Sequence, residues 1–404
     1  MCASPVYTLC FSGTGCTRDE GEISRVGSDT RIYSPQTGYI PVRLHREISG
    51  SLFSSTASVV VRGVGENDWG QWRSFSERLL LDGPLNAPAD LLSEARKYAD
   101  GQSQVSMDAQ ATGWSAPALA LHAANLAAAS GAQRCHFVGH SRGAVVAIMA
   151  AWFLYAYGRP DISVSVFAID PVPGPGNWYG ILTQLPPNVA RYVGVYAWDH
   201  LDTGFMALTP RPNGGMTGQL DAPKLGNSWS TLADACQLAD PLAPSQAAQP
   251  KNYHLYVCRG RHGTVAGNIT RDGRYNPTEV SASVEPVAQL VYLLARAYLT
   301  EWGTVFQADW APTPSVSELR RRIHTDHAAF DAMGGGPSRS GMLEKLPLGG
   351  GYLRTSVRQV SSISGRNPFN RYYLEDVVGD PPYPLSYPVT FLRQGAGWVN
   401  WKFL

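Results

Sequence analysis

Short, largely apolar runs recur along the chain, and each ends in a loop that contains a glycine, a proline or a charged residue. They lie at 6–11, 58–62, 135–138, 163–169, 192–198 and 253–258. Because these runs do not alternate with polar positions, they are typical of strands that are covered on both faces. Helical patterns separate them. The sequence therefore predicts an α/β fold with a central, mostly parallel sheet and helices on both faces.

The same rhythm predicts how the chain is divided. It extends over residues 1–300, with one departure at about 63–114 that we interpret as an insertion. Residues 301–404 do not follow it, and we expect them to form a C-terminal cap or extension. A capping box, formed by Ser315 and Glu318, predicts one helix in that part.

Composition and charge exclude several classes of protein. The 404 residues have a formal net charge of +1, and the dense basic run at 320–322 is followed at once by a histidine and an aspartate, so nucleic acid is not an expected partner. No apolar stretch approaches the roughly 18 residues that a membrane span requires. The N-terminus lacks the charged region of a signal peptide. We expect synthesis in the cytoplasm without a signal peptide, with secretion by a route that cleaves no signal left open.

The motif that carries chemistry is GHSRG at 139–143, where an apolar run turns into an apolar helical pattern. A nucleophile elbow needs small residues two positions before and after the nucleophile, because the turn brings neighbouring backbone close. Gly139 and Gly143 occupy those positions. Ser141 would stand at the positive end of the following helix, which favours developing negative charge. We interpret Ser141 as a nucleophile, the alternative being a polar residue at a structural turn.

A serine hydroxyl needs a base that takes its proton. His262 lies just past the run at 253–258, between Gly260 and Gly263, on a loop at the edge of the predicted sheet where catalytic residues gather. We predict that His262 is the base. His200, within WDHLD, is the rival.

The sequence offers two candidates for the acid. Asp170 follows the run at 163–169 and opens DPVPGPG, a loop that its prolines stiffen. Asp202, or Asp199 beside it, follows the next run, which is the more usual position of the acid on such a sheet. The carboxylate must be rigidly placed to hold the imidazole tautomer, which favours Asp170 and leaves Asp202 as the alternative.

An oxyanion hole would complete this chemistry. The backbone N–H of Arg142 is one expected donor, since it follows the nucleophile. The segment FSGTG at 11–15 comes after the first apolar run, and its residues Gly13 and Thr14 are expected to supply further N–H groups. No lysine follows in the spacing of a phosphate-binding loop, so nucleotide binding is not expected.

This chemistry requires no cofactor and no metal. Asp19, Glu20 and Glu22 follow the FSGTG segment and could ligate calcium, although an acidic loop exposed to solvent is the favoured interpretation. The six cysteines include no Cys-x-x-Cys pair, and we interpret them as reduced structural thiols.

These motifs, taken in order, resemble a family of bacterial α/β-hydrolases that includes the lipase effectors of type VI secretion systems. The F-x-G-T-G segment, VVVRGVGEN at 59–67, the GHSRG elbow and the G-x-H-G loop at 260–263 carry the resemblance, which covers roughly residues 5–270. The family more often has an aspartate where Ser12 stands, and its acid-bearing motif differs from DPVPGPG. The phrase FAIDPVPGP is instead similar to the acid-bearing strand and loop of pancreatic-type lipases, which supports Asp170.

The resemblance implies an α/β-hydrolase catalytic domain over 1–300 and hydrolysis of acyl esters in membrane phospholipids. It also implies an antibacterial toxin delivered into rival cells, with an immunity protein as partner. The aromatic C-terminal part suits contact with a membrane surface, because tyrosine and tryptophan rings settle at the level of the lipid headgroups. Its residues are Tyr372, Tyr373, Pro381, Pro382, Tyr383, Trp398 and Trp401. An alternative is that these residues form the core of the cap. The alternative functions are an acyltransferase, a small-molecule esterase with the same triad and a non-catalytic binding module.

Overall fold

The structure is a computed structural model that describes most of the chain up to Gly334 and one short segment at its C-terminal end. The described residues are 5–22, 32–69, 78–99, 107–174, 179–197, 199, 207–217, 228–234, 250–273, 279–307, 314–334 and 401–403.

A seven-stranded sheet forms the centre of the described structure. Its strands are β1 (Val6–Phe11), β2 (Ser58–Val61), β3 (Arg134–His140), β4 (Ser163–Ile169), β5 (Val189–Ala197), β6 (Tyr253–Cys258) and β7 (Trp401–Phe403). The spatial order is β2-β1-β3-β4-β5-β6-β7, and each neighbouring pair is parallel. The predicted α/β fold with a parallel sheet is confirmed at this general level. All six apolar runs are strands, although β5 begins earlier than its run.

Helices lie between the strands along the chain. They are α1 (Ile40–Ser49), α2 (Ala89–Ala99), α3 (Met107–Thr112), α4 (Ala116–Ala129), α5 (Arg142–Ala156), α6 (Gly214–Thr217), α7 (Trp229–Asp234), α8 (Glu285–Trp302), α9 (Val316–Thr325) and α10 (His327–Gly334). Short 3₁₀ helices occupy Gly180–Thr183 and Thr264–Ala266.

Two hydrophobic cores cover the two faces of the sheet. Leu9 and Phe11 belong to one core together with the apolar residues of α2, α4 and α5. Cys10, which lies between them on β1, belongs to the other core with α1, α8 and α9. Successive strand residues point to opposite faces, so the apolar runs are explained by burial on both sides.

The order of the strands places a crevice at their carboxyl ends. The chain runs from β1 outward to β2 and then returns to β3 on the other side of β1. Loops that leave β1 and β3 therefore diverge, and ligands of open parallel sheets bind at such a switch point. The FSGTG segment follows β1 and Ser141 follows β3.

Described residues of the predicted C-terminal extension contribute to the core that contains Cys10 and α8. Leu319, Ile323, Phe330 and Met333 are buried in the core that also contains α8. Ser315 caps α9 as predicted, since its Oγ accepts a hydrogen bond from the Glu318 N–H at 3.2 Å, but the Glu318 carboxylate binds Arg321 and so does not complete the capping box. The strand β7 pairs with β6 and was not predicted. Apart from Trp401 in β7, the aromatic residues proposed for membrane contact lie outside the described residues.

The described part of the predicted insertion at 63–114 also joins a core of the sheet. Leu91 and Ala95 of α2 are buried in the core that contains α4. None of the helices in the described ranges combines the length and the apolarity that crossing a bilayer demands.

Candidate active site

Ser141 stands at a strained turn between β3 and α5. Its backbone has φ 57° and ψ −132°, a conformation that non-glycine residues rarely adopt. A Cβ on Gly139 would lie 2.7 Å from the backbone of Ala144, and one on Gly143 would collide with the carbonyl oxygens at the end of β1. Both glycines of the motif are therefore required by close packing of the elbow.

The surroundings of Ser141 suit negative charge. Its own N–H donates to the carbonyl oxygen of Ile169 at 3.0 Å, which fixes the turn to the end of β4. The helix α5 begins with Arg142 directly after it, and the free N–H groups of a helix N-terminus give a partial positive charge. Ser141 is 6% exposed. A reacting group on this side chain would be largely removed from water.

His262 and Asp170 form a hydrogen-bonded pair. His262 Nδ1 donates to Asp170 Oδ2 at 2.7 Å, and Asp170 Oδ1 accepts the N–H of Ala197 at 3.2 Å. Asp170 is buried and has a positive φ of 39°. A proton on Nδ1 of a neutral imidazole leaves Nε2 as the basic nitrogen. The pair thus has the arrangement that an acid and a base require.

The other acid and base candidates are placed differently. Asp199 is buried against Arg259, whose Nε and Nη2 donate to its two carboxylate oxygens at 2.7 and 2.9 Å. Asp199 Oδ2 also accepts the N–H of Gly260 at 2.7 Å, so this ion pair anchors the loop that carries His262. Sequence reasoning did not identify the ion pair. Asp202 and His200 lie outside the described residues.

The FSGTG segment lies beside Ser141, but the N–H of Gly13 is not placed as the predicted oxyanion donor. A Cβ on Gly13 would lie 3.3 Å from the Cβ of Ser141. The N–H of Gly13 donates to the hydroxyl of Tyr39 at 2.7 Å and therefore does not face the oxyanion. Within the described ranges, the backbone N–H groups of Thr14 and Arg142 have no hydrogen-bond acceptor. These two remain the available donors.

The motif VVVRGVGEN at 59–67 packs against the FSGTG segment. A Cβ on Gly63 would collide with the carbonyl oxygen of Gly13, so only a glycine allows the two loops to approach so closely. The N–H of Gly63 donates to the Cys16 carbonyl at 2.9 Å.

The side chain of Arg142 has a second role that the sequence did not indicate. Its guanidinium donates to Thr14 Oγ1 at 2.9 Å, to the Gln110 carbonyl at 2.6 Å and to the Pro173 carbonyl at 2.9 Å. Burial lowers the pKa of Arg142 to about 10. One cation thus joins the loop after β1, the helix α3 and the loop after Asp170.

Two further residues touch the candidate site and were not identified from the sequence. The Tyr39 hydroxyl lies 2.9 Å from His140 Nδ1, and His140 Nε2 lies 3.1 Å from the carbonyl oxygen of His262. Both side chains are buried. One sequence feature could have indicated His140, namely its position inside GHSRG directly before Ser141. The His140 ring lies 4.6 Å from that of His262 between centroids.

The acidic segment at 19–22 was expected to be a loop exposed to solvent, and this prediction is wrong. Asp19 and Glu20 are buried, and the Glu20 carboxylate accepts the Thr17 N–H and the Tyr33 hydroxyl, each at 3.3 Å. Glu22 pairs with Arg46. Among the residues that the structure describes, no cluster of three or more metal-ligating side chains is present. Four of the cysteines are described, and each of these is buried and outside any disulfide.

Comparisons with protein-family models and with curated protein sequences give no match.

Proposed function

We propose that the protein is a serine esterase of the α/β-hydrolase type that hydrolyses acyl esters of membrane phospholipids. The observation that supports this best is the 2.7 Å hydrogen bond between Asp170 and His262. The His262 ring packs on His140, the residue that precedes Ser141 at the strained strand-to-helix turn. A base held by a carboxylate and a serine nucleophile are the elements of acyl transfer through a covalent intermediate.

In the proposed reaction, Ser141 Oγ attacks the ester carbonyl carbon while its proton passes to His262 Nε2. The tetrahedral intermediate collapses as the C–O bond breaks, and the leaving alcohol takes the proton from His262. Water then gives a proton to His262 and attacks the acyl carbon. The bond between that carbon and Ser141 Oγ breaks, His262 returns the proton to Oγ, and the fatty acid is released. Asp170 holds the tautomer and stabilises the imidazolium formed in each half of the reaction.

The oxyanion is assigned to backbone donors. The N–H of Arg142 and that of Thr14, which have no hydrogen-bond acceptor within the described ranges, are available for it. Such fixed donors contribute strongly because they need no reorganisation when the charge develops. Gly13 takes the role of supporting this loop through Tyr39 and not that of a donor.

Two observations favour a lipid as the acyl donor. Met107 is 73% exposed and Trp114 is 48% exposed, and they flank the α3 residues whose carbonyl oxygens bind Arg142. Exposed apolar side chains on a segment that is bound to Arg142, the residue after the proposed nucleophile, suit an acyl chain that enters from a membrane. Delivery as an antibacterial effector and an immunity protein as partner rest on the family resemblance alone.

The test is fatty-acid release from phospholipid vesicles and from p-nitrophenyl butyrate. We compare the wild type with Ser141→Ala and, as a matched control, Ser230→Ala on the exposed face of α7. Release from vesicles that is lost only in Ser141→Ala supports a phospholipase. Release from the soluble ester alone would favour a small-molecule esterase, and an acylated acceptor without free acid would favour an acyltransferase. No turnover of either substrate would indicate a non-catalytic binding module.

A further inference from the structure

A chain of hydrogen bonds runs behind the elbow, from the loop after β1 to the loop that carries His262. The Gly13 N–H donates to Tyr39 Oη at 2.7 Å, Tyr39 Oη lies 2.9 Å from His140 Nδ1, and His140 Nε2 lies 3.1 Å from the His262 carbonyl oxygen. The side chains of Tyr39 and His140 are buried, and that of His262 is partly buried.

The direction of each proton in this chain is determined by the groups at its ends. A carbonyl oxygen only accepts, so His140 Nε2 must carry the proton that it shares with His262. A backbone N–H only donates, so Tyr39 Oη accepts from Gly13 and has its own proton to give. His140 Nδ1 is the acceptor of that proton, which requires a neutral ring. Burial, more than the nearby His262, holds the pKa of His140 well below its ordinary value.

We propose that Tyr39 and His140 are positioning residues that join the oxyanion loop to the catalytic histidine as one hydrogen-bonded unit. This inference rests on the proposed function, since it concerns the alignment of the same site. Gly13 is tied by its N–H, so the next residue, Thr14, is held with its own N–H available. At the other end, the bond to the His262 carbonyl fixes the backbone of the base, while Asp170 fixes its ring.

Packing around the unit supports this role. A Cβ on Gly13 would lie 3.0 Å from both Tyr39 Oη and His140 Nδ1, so the loop is seated directly on the pair. The rings of His140 and His262 are 4.6 Å apart between centroids and inclined by 35°. Hydrogen bonds in such a chain polarise and strengthen one another, so the loss of one link loosens both ends.

The first variant to test is Tyr39→Phe, which keeps the ring and removes the hydroxyl. We expect kcat for p-nitrophenyl butyrate to fall about 10- to 100-fold with KM changed less than about threefold, because a small displacement of catalytic groups reduces turnover more than binding. Tyr253→Phe is the matched control, since its buried hydroxyl donates to the Pro210 carbonyl at 2.7 Å in the other half of the sheet. We expect its kcat to equal that of the wild type. Wild-type kcat in Tyr39→Phe would overturn the proposal.

Two substitutions of His140 separate the two halves of the unit. His140→Asn can still accept from Tyr39 but cannot reach His262, whereas His140→Gln can still donate toward the His262 carbonyl but offers no acceptor at the Nδ1 position. Adding Tyr39→Phe to His140→Gln should cost at most about twofold more in kcat, since the link is already broken. Full additivity of the two effects would contradict a single unit.

A measurement that does not depend on turnover completes the test. In protein labelled with ¹⁵N-histidine, the His140 ring should show a protonated Nε2 and an unprotonated Nδ1 at pH 7, and Tyr39→Phe should shift the Nδ1 resonance. If the wild type hydrolyses no ester, the proposed function fails while this spectrum still decides whether the unit exists. A His140 ring protonated at Nδ1 would overturn the inference.

Discussion

Asp170 shows how one buried carboxylate sets the state of a neighbouring ring. Its backbone is held at positive φ, a conformation that costs about 1–3 kcal/mol, and its two oxygens are bound by His262 and by the Ala197 N–H. The surrounding strands hold this strained residue in place. In the proposed reaction, the result is a histidine with its basic nitrogen directed away from Asp170.

Asp170→Asn tests this role. The amide can present an N–H to His262 Nδ1 and so favour the wrong tautomer, and we expect kcat for ester hydrolysis to fall by about 10⁴. Asp161→Asn serves as control, because Asp161 pairs with Arg159 at the surface. Circular dichroism checks that both variants fold. Retention of more than a tenth of the wild-type kcat by Asp170→Asn would contradict the assigned acid.

Arg142 shows a different use of a buried charge at the same scale. Its guanidinium binds neutral oxygens from three segments. A lysine keeps the charge but cannot reach all of these acceptors, because it lacks the planar fork of donors.

We therefore expect Arg142→Lys to reduce the free energy of unfolding by about 2–4 kcal/mol, through carbonyl oxygens left without donors. Urea denaturation measures this change. In Arg96→Lys, where the pair with Asp82 is exposed, the free energy should change by less than about 0.5 kcal/mol. Equal changes in the two variants would show that the buried contacts contribute nothing.

At the scale of elements, the site depends on how closely the elbow packs on β1. The first turn of α5 touches the carbonyl oxygens at the end of that strand, with Gly143 at the contact. A side chain there would move Ser141 away from the loop that carries Thr14.

Gly143→Ala should therefore destabilise the fold by about 1–3 kcal/mol and abolish measurable turnover, because backbone must shift to admit the methyl group. Gly215→Ala, in the exposed first turn of α6, meets only the Asn213 side chain at 3.2 Å. We expect that control to keep its stability and activity. A fully active Gly143→Ala variant would show that the close contact is not needed. Thermal unfolding and ester turnover report both properties.

The elements also show what the sequence could and could not predict. Six strands were predictable because burial on both faces leaves an apolar run in the chain. The strand β7 has three residues and depends on pairing with β6, which no local pattern records. The choice of Asp170, and the contacts of Tyr39 with His140, likewise depend on residues distant in sequence. The GHSRG turn was predictable because close contacts require its two glycines, and these contacts are made within a few residues and with the end of one neighbouring strand.

At the scale of the whole molecule, buried histidines make the fold sensitive to acid. Burial lowers the pKa of His122 to about 3 and that of His136 to about 3. His122 Nδ1 accepts the Leu80 N–H at 2.8 Å, and His136 Nδ1 lies 2.7 Å from Thr304 Oγ1. Below about pH 6.5 the unfolded chain binds protons at these rings and the folded chain does not, so stability falls as the pH decreases.

Between pH 6.5 and pH 5, each of these two histidines should cost the fold about 1.6 kcal/mol, because the unfolded imidazole goes from half protonated to almost fully protonated over this range. Asparagine can supply an acceptor at the position of Nδ1. The double variant His122→Asn/His136→Asn should therefore lose less stability over this range than the wild type. Urea denaturation at the two pH values measures the difference, and identical losses would contradict the account.

The central claim is that Ser141 is a nucleophile activated by His262, and covalent labelling tests it most directly. A fluorophosphonate should form one Ser141 Oγ–P bond with release of fluoride, found by mass spectrometry on the peptide that contains GHSRG. We expect Asp170→Asn to slow this labelling strongly, because the base is then misaligned. No adduct, or an adduct on another residue at the same rate in both proteins, would contradict the proposed active site.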